Sequence, residues 1–451
     1  MTRSFPELAV LLTTLCFSSV GAFAAEPAGG LAPPPAEPFA FADFTWLTGN
    51  ARTKDSPLSM PAFTGELRVD VDWVHDFNHP QDHTIVGSSE IFRSGEVQIT
   101  QFGIGGDFHY QNVRGRLMTQ FGLYSQTTPR NDASPARGQW NLDNAYRYIS
   151  EAYGGYHIDV LNGINVDAGI FMSYVGLFSY YQFDNWAYQP SYVSSNTPWF
   201  FNGVRVQVFT SDKLKIEPWF INGWQSYGMF NSTPGLGLQI LWRPAGWLSI
   251  LGNQYWGADT LGNSDRMRIH TDDSIQVKYL DRPESFLSKA AFTFTIDAGC
   301  EYGGGVSCTG GSDPAQYFLG FMAYNRFWFQ KDLFAVTLGG GAITNPGRYL
   351  VLVPPINGAT ATSGTPEFPG LPGYPYQAWD ASITFDFMPS QFVTFRIEGN
   401  HRHANVKYFA GPGGVTPPGG NSGLPGSAVP DFTPDLRHSE DRITAALLVK
   451  L

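Results

Sequence analysis

The sequence predicts an all-β fold, a transmembrane antiparallel up-and-down β-barrel of about 16 strands with short periplasmic turns and long extracellular loops. Three observations carry that prediction. Apolar and polar residues alternate with period two in segment after segment, the connections sort into short and long, and the composition is poor in charge without being greasy. Of 451 residues, 43% are hydrophobic, 15% aromatic and only 15% charged, with 50 Gly and 32 Pro. A soluble domain carries roughly 25% charged residues, yet mean hydropathy here is −0.17. Disordered chains are charge-rich and aromatic-poor, and no stretch of the mature chain approaches the roughly 18 apolar residues of a spanning helix. A net charge of −11 argues against a phosphate-tracking nucleic-acid binder.

Residues 1–24 read as a cleaved signal peptide: Arg3, the apolar run 8–17, then the small-x-small site Ala22-Phe23-Ala24. Residues 25–60 form a Pro-rich periplasmic N-terminal segment, because the prolines of 25–40 keep that stretch out of sheet and helix interiors. Within it, 39–50 is aromatic, and its pattern assigns it neither to a helix nor to a plug. The barrel takes 61–451. Export removes Cys16 with the leader and leaves Cys300 and Cys308, which in an oxidising compartment are disulfide candidates. Two free thiols or half a metal site would be the alternative, and further cysteines for it are lacking.

Leu67, Val69, Val71 and Trp73 alternate with Arg68, Asp70 and Asp72, giving one apolar and one charged face. The pattern returns at 113–123, 164–173, 204–208, 214–217, 236–242, 275–279, 292–298, 383–387, 393–399 and 443–451. Segments near 97–110, 146–160, 247–256, 317–329 and 333–340 alternate less cleanly. A sandwich would alternate too, so the connections decide. Tight turns at Gln111-Asn112, Leu161-Asn162-Gly163, Thr210-Ser211-Asp212, Pro244-Ala245-Gly246, Gln330-Lys331-Asp332 and Met388-Pro389-Ser390 lie at one end. Long connections near 77–95, 126–144, 177–198, 226–234, 257–266, 299–316, 341–376 and 401–438 lie at the other. Strands of about 10 residues, rising roughly 3.3 Å per residue at about 45° tilt, span an outer-membrane apolar band. Closure pairs every backbone group, which lipid demands. Trp73, Trp199, Phe200, Phe201, Trp219, Phe220, Trp242, Trp247, Trp256, Phe327, Trp328 and Phe329 fall near strand ends and read as interfacial girdles.

The run Gly163-Ile-Asn-Val-Asp-Ala-Gly-Ile-Phe-Met-Ser-Tyr-Val-Gly-Leu-Phe-Ser-Tyr-Tyr181, with Asn185-Trp-Ala-Tyr-Gln-Pro-Ser-Tyr-Val-Ser-Ser-Asn-Thr-Pro-Trp-Phe-Phe201, resembles the OmpL-like outer-membrane β-barrel porins of Gram-negative bacteria. Ile216-Glu-Pro-Trp-Phe-Ile-Asn-Gly-Trp224 and Leu251-Gly-Asn-Gln-Tyr255 fit the same resemblance, which covers most of the chain after residue 60. It implies a water-filled channel for passive diffusion of small hydrophilic solutes, located in the bacterial outer membrane and without a cofactor. Implied partners are outer-membrane lipid and lipopolysaccharide, the barrel-assembly machinery and small hydrophilic solutes, with no nucleic acid; analogy with porins of this size adds a homotrimer. Such barrels usually end in an aromatic residue, whereas this chain ends in Leu451.

In a pore the working residues face inward. The inward phase selects Arg68, Asp70, Asp72, Arg114, Arg116, Arg205, Lys215, Glu217, Arg396 and Glu398 as pore-lining, with both signs present; Arg114 and Arg116 beside Arg205 and Lys215 give a mild case for attracting anions. The third long connection, 177–198, is crowded with aromatics and contains no basic residue. By analogy with porins whose third loop narrows the lumen, Tyr181, Asp184, Trp186 and Tyr188 are expected at a constriction; an exterior loop covering a subunit contact is the alternative. Gly103-Ile-Gly-Gly106 and Gly235-Leu-Gly237 have no following helix and read as barrel kinks or close packing. Two other functions compete. One is a closed structural or adhesive barrel whose long loops bind outside the cell. The other is a lipid-modifying enzyme, for which Ser173 and His157 are available with no signal linking them.

Overall fold

The computed structural model describes residues 37–346, 376–418 and 432–451, so the expected signal peptide and the start of the Pro-rich segment lie outside the described residues. Among the described residues, sixteen long strands follow one another around a ring. The first eight are β1 (Phe63–Asp76), β2 (Val97–Tyr110), β3 (Val113–Thr119), β4 (Ile149–Ile158), β5 (Ile164–Met172), β6 (Phe200–Phe209), β7 (Leu214–Ile221) and β8 (Gly235–Ala245). The rest are β9 (Leu248–Gly257), β10 (Met267–Asp281), β11 (Leu287–Tyr302), β12 (Tyr317–Phe329), β13 (Phe334–Thr344), β14 (Gln377–Ser390), β15 (Val393–Ala404) and β16 (Ser439–Lys450). Every pairing is antiparallel between sequence neighbours, and β16 returns to β1 with Arg442 opposite Asp76 and Lys450 opposite Arg68. The sheet closes on itself and leaves none of the sixteen strands with an unpaired edge, as a lipid environment requires.

Alternation sets the two faces. On β14, Trp379, Ile383 and Phe385 point outward and stay exposed, while Ala378, Asp380, Thr384 and Asp386 between them are buried inside the ring. The short connections are 111–112, 159–163, 210–213, 246–247, 282–286, 330–333 and 391–392, all at one end; the eight longer ones leave from the other.

Two expected turns shift. β8 runs through Pro244 and β14 through Pro389, and both hairpins carry register shifts there, where a bulge tolerates a residue without an N–H. The aromatic girdle is only half as expected. Trp73, Phe220, Trp242, Trp247 and Trp256 are exposed on the outer face, whereas Trp199, Phe200, Phe201, Trp219 and Trp328 are buried. Strand-end position does not reveal phase, and an inward aromatic packs against whatever fills the ring. The two glycine runs are sites of close packing: a Cβ at Gly105 would stand 1.9 Å from the Leu117 carbonyl oxygen, and one at Gly237 2.0 Å from the Tyr174 hydroxyl. Cys300 and Cys308 are joined in a disulfide at the end of β11, their Cα atoms 5.2 Å apart.

Candidate functional site

The ten residues selected by inward phase all stand on the inner side of the wall, and most are neutralised there. Arg116 meets three carboxylates, Glu151 at 2.7 Å, Asp107 at 2.8 Å and Glu66 at 3.0 Å. Asp167 is shared by Arg205 at 3.0 Å and Arg114 at 3.3 Å, and Lys215 pairs with Glu217 at 2.6 Å. Arg68 binds Glu66 and, at 3.1 Å, Asp184. Asp386 lies between Arg326 and Arg396, 2.7 Å from each. The expected anion bias therefore loses Arg116, whose charge is matched by its neighbours. Arg114, with 28% of its side chain exposed, is the most open of these cations. Asp107 and Glu151 escaped sequence selection because the extra residues Thr100 on β2 and Ser150 on β4 shift the period-two phase along those strands, whereas Glu66 shares the phase of Arg68 and Asp70 and was passed over at the start of its strand.

The third long connection, 173–199, folds into the ring. The Tyr188 hydroxyl donates to Asp70 at 2.9 Å, and the backbone N–H groups of Tyr188 and Gln189 donate to Glu398 at 2.6 and 2.8 Å. The Tyr181 hydroxyl reaches Glu151 at 2.7 Å, while its ring lies under the Arg68 guanidinium at 3.9 Å. Arg326 donates to the Trp186 carbonyl at 3.2 Å, and Arg396 to the carbonyls of Asn185 at 2.6 Å and Gln182 at 3.3 Å. Asp380 accepts from the Ser191 hydroxyl and the Tyr192 N–H at 2.7 and 2.9 Å. The loop is thus tied to β1, β4, β12, β14 and β15. Arginines serve here because one guanidinium can bind a wall carboxylate and loop carbonyls together.

A second segment fills the ring from the short-turn end. The Phe39 N–H donates to the Asp212 carbonyl at 2.6 Å, and Trp46 Nε1 to the Gly246 carbonyl at 3.2 Å. The guanidinium of Arg243 stacks over the rings of Phe39 and Phe44 at 5.1 and 4.7 Å. Arg52 then donates to the carbonyls of Ser390 at 2.8 Å and Val393 at 2.6 Å on the far wall. Residues 39–52 therefore cross the mouth as a strap. Beside it lies a polar cleft of about 470 Å³ whose lining carries both signs, Arg52, Lys54, Lys289 and Lys331 with Asp55 and Asp332. The strap also meets the third loop: Trp186 N–H donates to Thr48 Oγ1 at 3.1 Å, Trp186 Nε1 to the Trp46 carbonyl at 3.2 Å, and Gly49 N–H to the Asp184 carbonyl at 3.0 Å. Sequence reading found the aromatic run and missed its location, since its partners lie hundreds of residues away.

At the long-loop end, Asp82 accepts from the Thr416 hydroxyl at 2.6 Å and from the N–H groups of Thr416 and Val415 at 2.7 and 2.8 Å, tying the first loop to the last. Partial burial raises its pKa, but these hydrogen bonds outweigh burial and hold it below the usual value of 3.8. A carboxylate lowered on folding stabilises the tie fully above its unfolded pKa, and that contribution is lost as pH falls through the folded one. Hydrogen exchange of Val415 and Thr416 is expected to stay slow down to about pH 4 and to accelerate below it; an Asp82→Asn variant should exchange fast at neutral pH.

Ser173 Oγ donates to the Val175 carbonyl at 3.0 Å, while His157 bonds Asn165 and stands near the opposite end of the barrel, so the two form no catalytic pair. A family model described as beta-barrel porin-2, OmpL-like, matches residues 62–428. The chain belongs to this family of outer-membrane β-barrel porins. None of the curated proteins compared with it matches in sequence. Solved structures with a similar barrel include OprB of Pseudomonas putida, at 10% identity and TM-score 0.49, covering 86% of this chain and 94% of that one. The outer membrane channel DcaP of Acinetobacter baumannii aligns at 12% identity and TM-score 0.47, over 90% of this chain and 100% of that one. An anion-selective porin from Comamonas acidovorans aligns at 8% and 0.45, over 86% and 99%.

Proposed function

We propose that this member of the porin family is a diffusion channel for small hydrophilic solutes, without enzymatic activity, narrowed by the third loop from one side and by the N-terminal strap from the other. The observation that supports the reading best is the division of the wall: apolar side chains outward, and inward a set of charges fixed by ion pairs and hydrogen bonds. Fixed charges of both signs around a narrow passage suit hydrated polar solutes and give no strong ion selectivity. Outer-membrane lipid, lipopolysaccharide and the assembly machinery are the partners this reading requires. A closed structural barrel is the second reading, favoured by the depth at which Tyr188 and Asp386 are buried.

Planar-bilayer recording in a salt gradient tests the proposal. Arg114→Glu reverses the most open of the paired wall cations and is expected to move the reversal potential toward cation preference. An unchanged potential would remove this wall from the conducting path.

A further inference from the structure

The outer face carries one feature that a lipid-facing surface does not need. Asp273 points outward from β10, opposite Gly252, where a Cβ on the glycine would lie 3.3 Å from its Oδ1. Thr271 Oγ1 donates to Asp273 at 2.8 Å and accepts from Gln254 Nε2 at 2.5 Å, so three polar side chains form a ladder on the outside of β9 and β10. Their depth is fixed by the strand. Ile269 and Tyr279 are both exposed, and the ten residue steps from one to the other rise roughly 24 Å along the membrane normal, the height of an apolar band. Asp273 sits four residues from one and six from the other, in the middle of that band. Charged groups facing hydrocarbon are costly and are paired or shielded where they persist.

The ladder borders a groove of about 750 Å³ whose apolar lining includes Leu238, Trp256, Ile269, Ala298 and Leu319. A second groove of about 680 Å³, lined by Phe294, Phe321 and Trp379 among others, shares Leu319. We infer that the outer face of β9–β12 is a docking surface for a second copy of this chain. Copies inserted in one membrane are related by rotation about its normal and keep every residue at one depth. Gln254 lies two residues from the level of Asp273, roughly 5 Å along the normal, and has a second amide hydrogen to offer the partner's carboxylate. Acyl chains offer no donor, and lipopolysaccharide phosphates are anionic and sit at headgroup depth. Ladder and grooves thus favour a protein partner whose polar groups lie at matching depth, a condition a second copy meets by symmetry. The inference needs the barrel to stand in a membrane and does not need it to conduct.

A photo-crosslinking residue at position 254 in intact outer membranes is the test, with the same probe at Val166, exposed on β5 a quarter of the ring away and outside β9–β12, as control. The expected product at 254 has twice the mass of the mature chain, with lipid adducts alone at 166. Asp273→Leu and Thr271→Trp should each cut the dimer band about tenfold, an effect of roughly 1.4 kcal/mol, while heat-modifiable gel mobility shows that the variants fold. Lipid adducts alone at 254, an adduct with a different protein, or a dimer band indifferent to both substitutions would overturn the proposal.

Discussion

Removing residues 39–52 is expected to raise single-channel conductance roughly twofold or more, because the strap places aromatic bodies across a mouth that otherwise limits flow only at the third loop. Its hold is distributed. One end is fixed by Phe39 and Trp46 on the turns at 210–213 and 246–247, the other by Arg52 on the carbonyls of Ser390 and Val393. Single truncations should therefore act weakly, and Trp46→Ala combined with Arg52→Ala should reproduce much of the deletion. Because Trp186 and Asp184 of the third loop bond to Trp46, Thr48 and Gly49, the deletion should also make the open-channel current noisier as the loop tip loosens. Conductance and noise equal to those of the intact chain would show that the strap lies outside the conducting path.

The second large effect concerns Asp386. It is fully buried and neutralises both Arg326 and Arg396. Asp386→Ala leaves two guanidinium groups without a counter-charge, a change that typically costs about 3–5 kcal/mol. The loss should appear as a lower unfolding midpoint in denaturant, read by heat-modifiable gel mobility. Replacing all three residues by apolar ones, Asp386→Leu with Arg326→Met and Arg396→Met, should recover most of the stability, since no charge is then stranded. It should not recover the loop, because the bonds from the two arginines to the carbonyls of Gln182, Asn185 and Trp186 are gone. A stable triple variant with an altered current would separate the wall's structural role from its role in holding the third loop.

The ring itself was legible in the sequence because period-two alternation is a local property. Leu67 to Trp73 shows its two faces without reference to anything else in the chain, and the sorting of short and long connections turns such strands into a barrel. The bounds of the third long connection were legible for the same reason, whereas its placement inside the ring was an expectation taken from analogy with other porins. Its attachments were not: Tyr188 and Glu398 are 210 residues apart, and Arg52 and Val393 are 341 apart. The aromatic girdle was misread at Phe201 and Trp219, where an aromatic at a strand end serves the lumen filling instead of the lipid headgroups. Asp273 shows the reverse case. Alternation places it outward, but only the closed sheet reveals that it stands at mid-depth beside Gln254 and Thr271.

The most direct measurement is the current through the unaltered chain, purified and inserted into planar bilayers at symmetric salt. Discrete steps with a linear current–voltage relation are the predicted result. A barrel that inserts, resists unfolding and passes no current would contradict the channel reading.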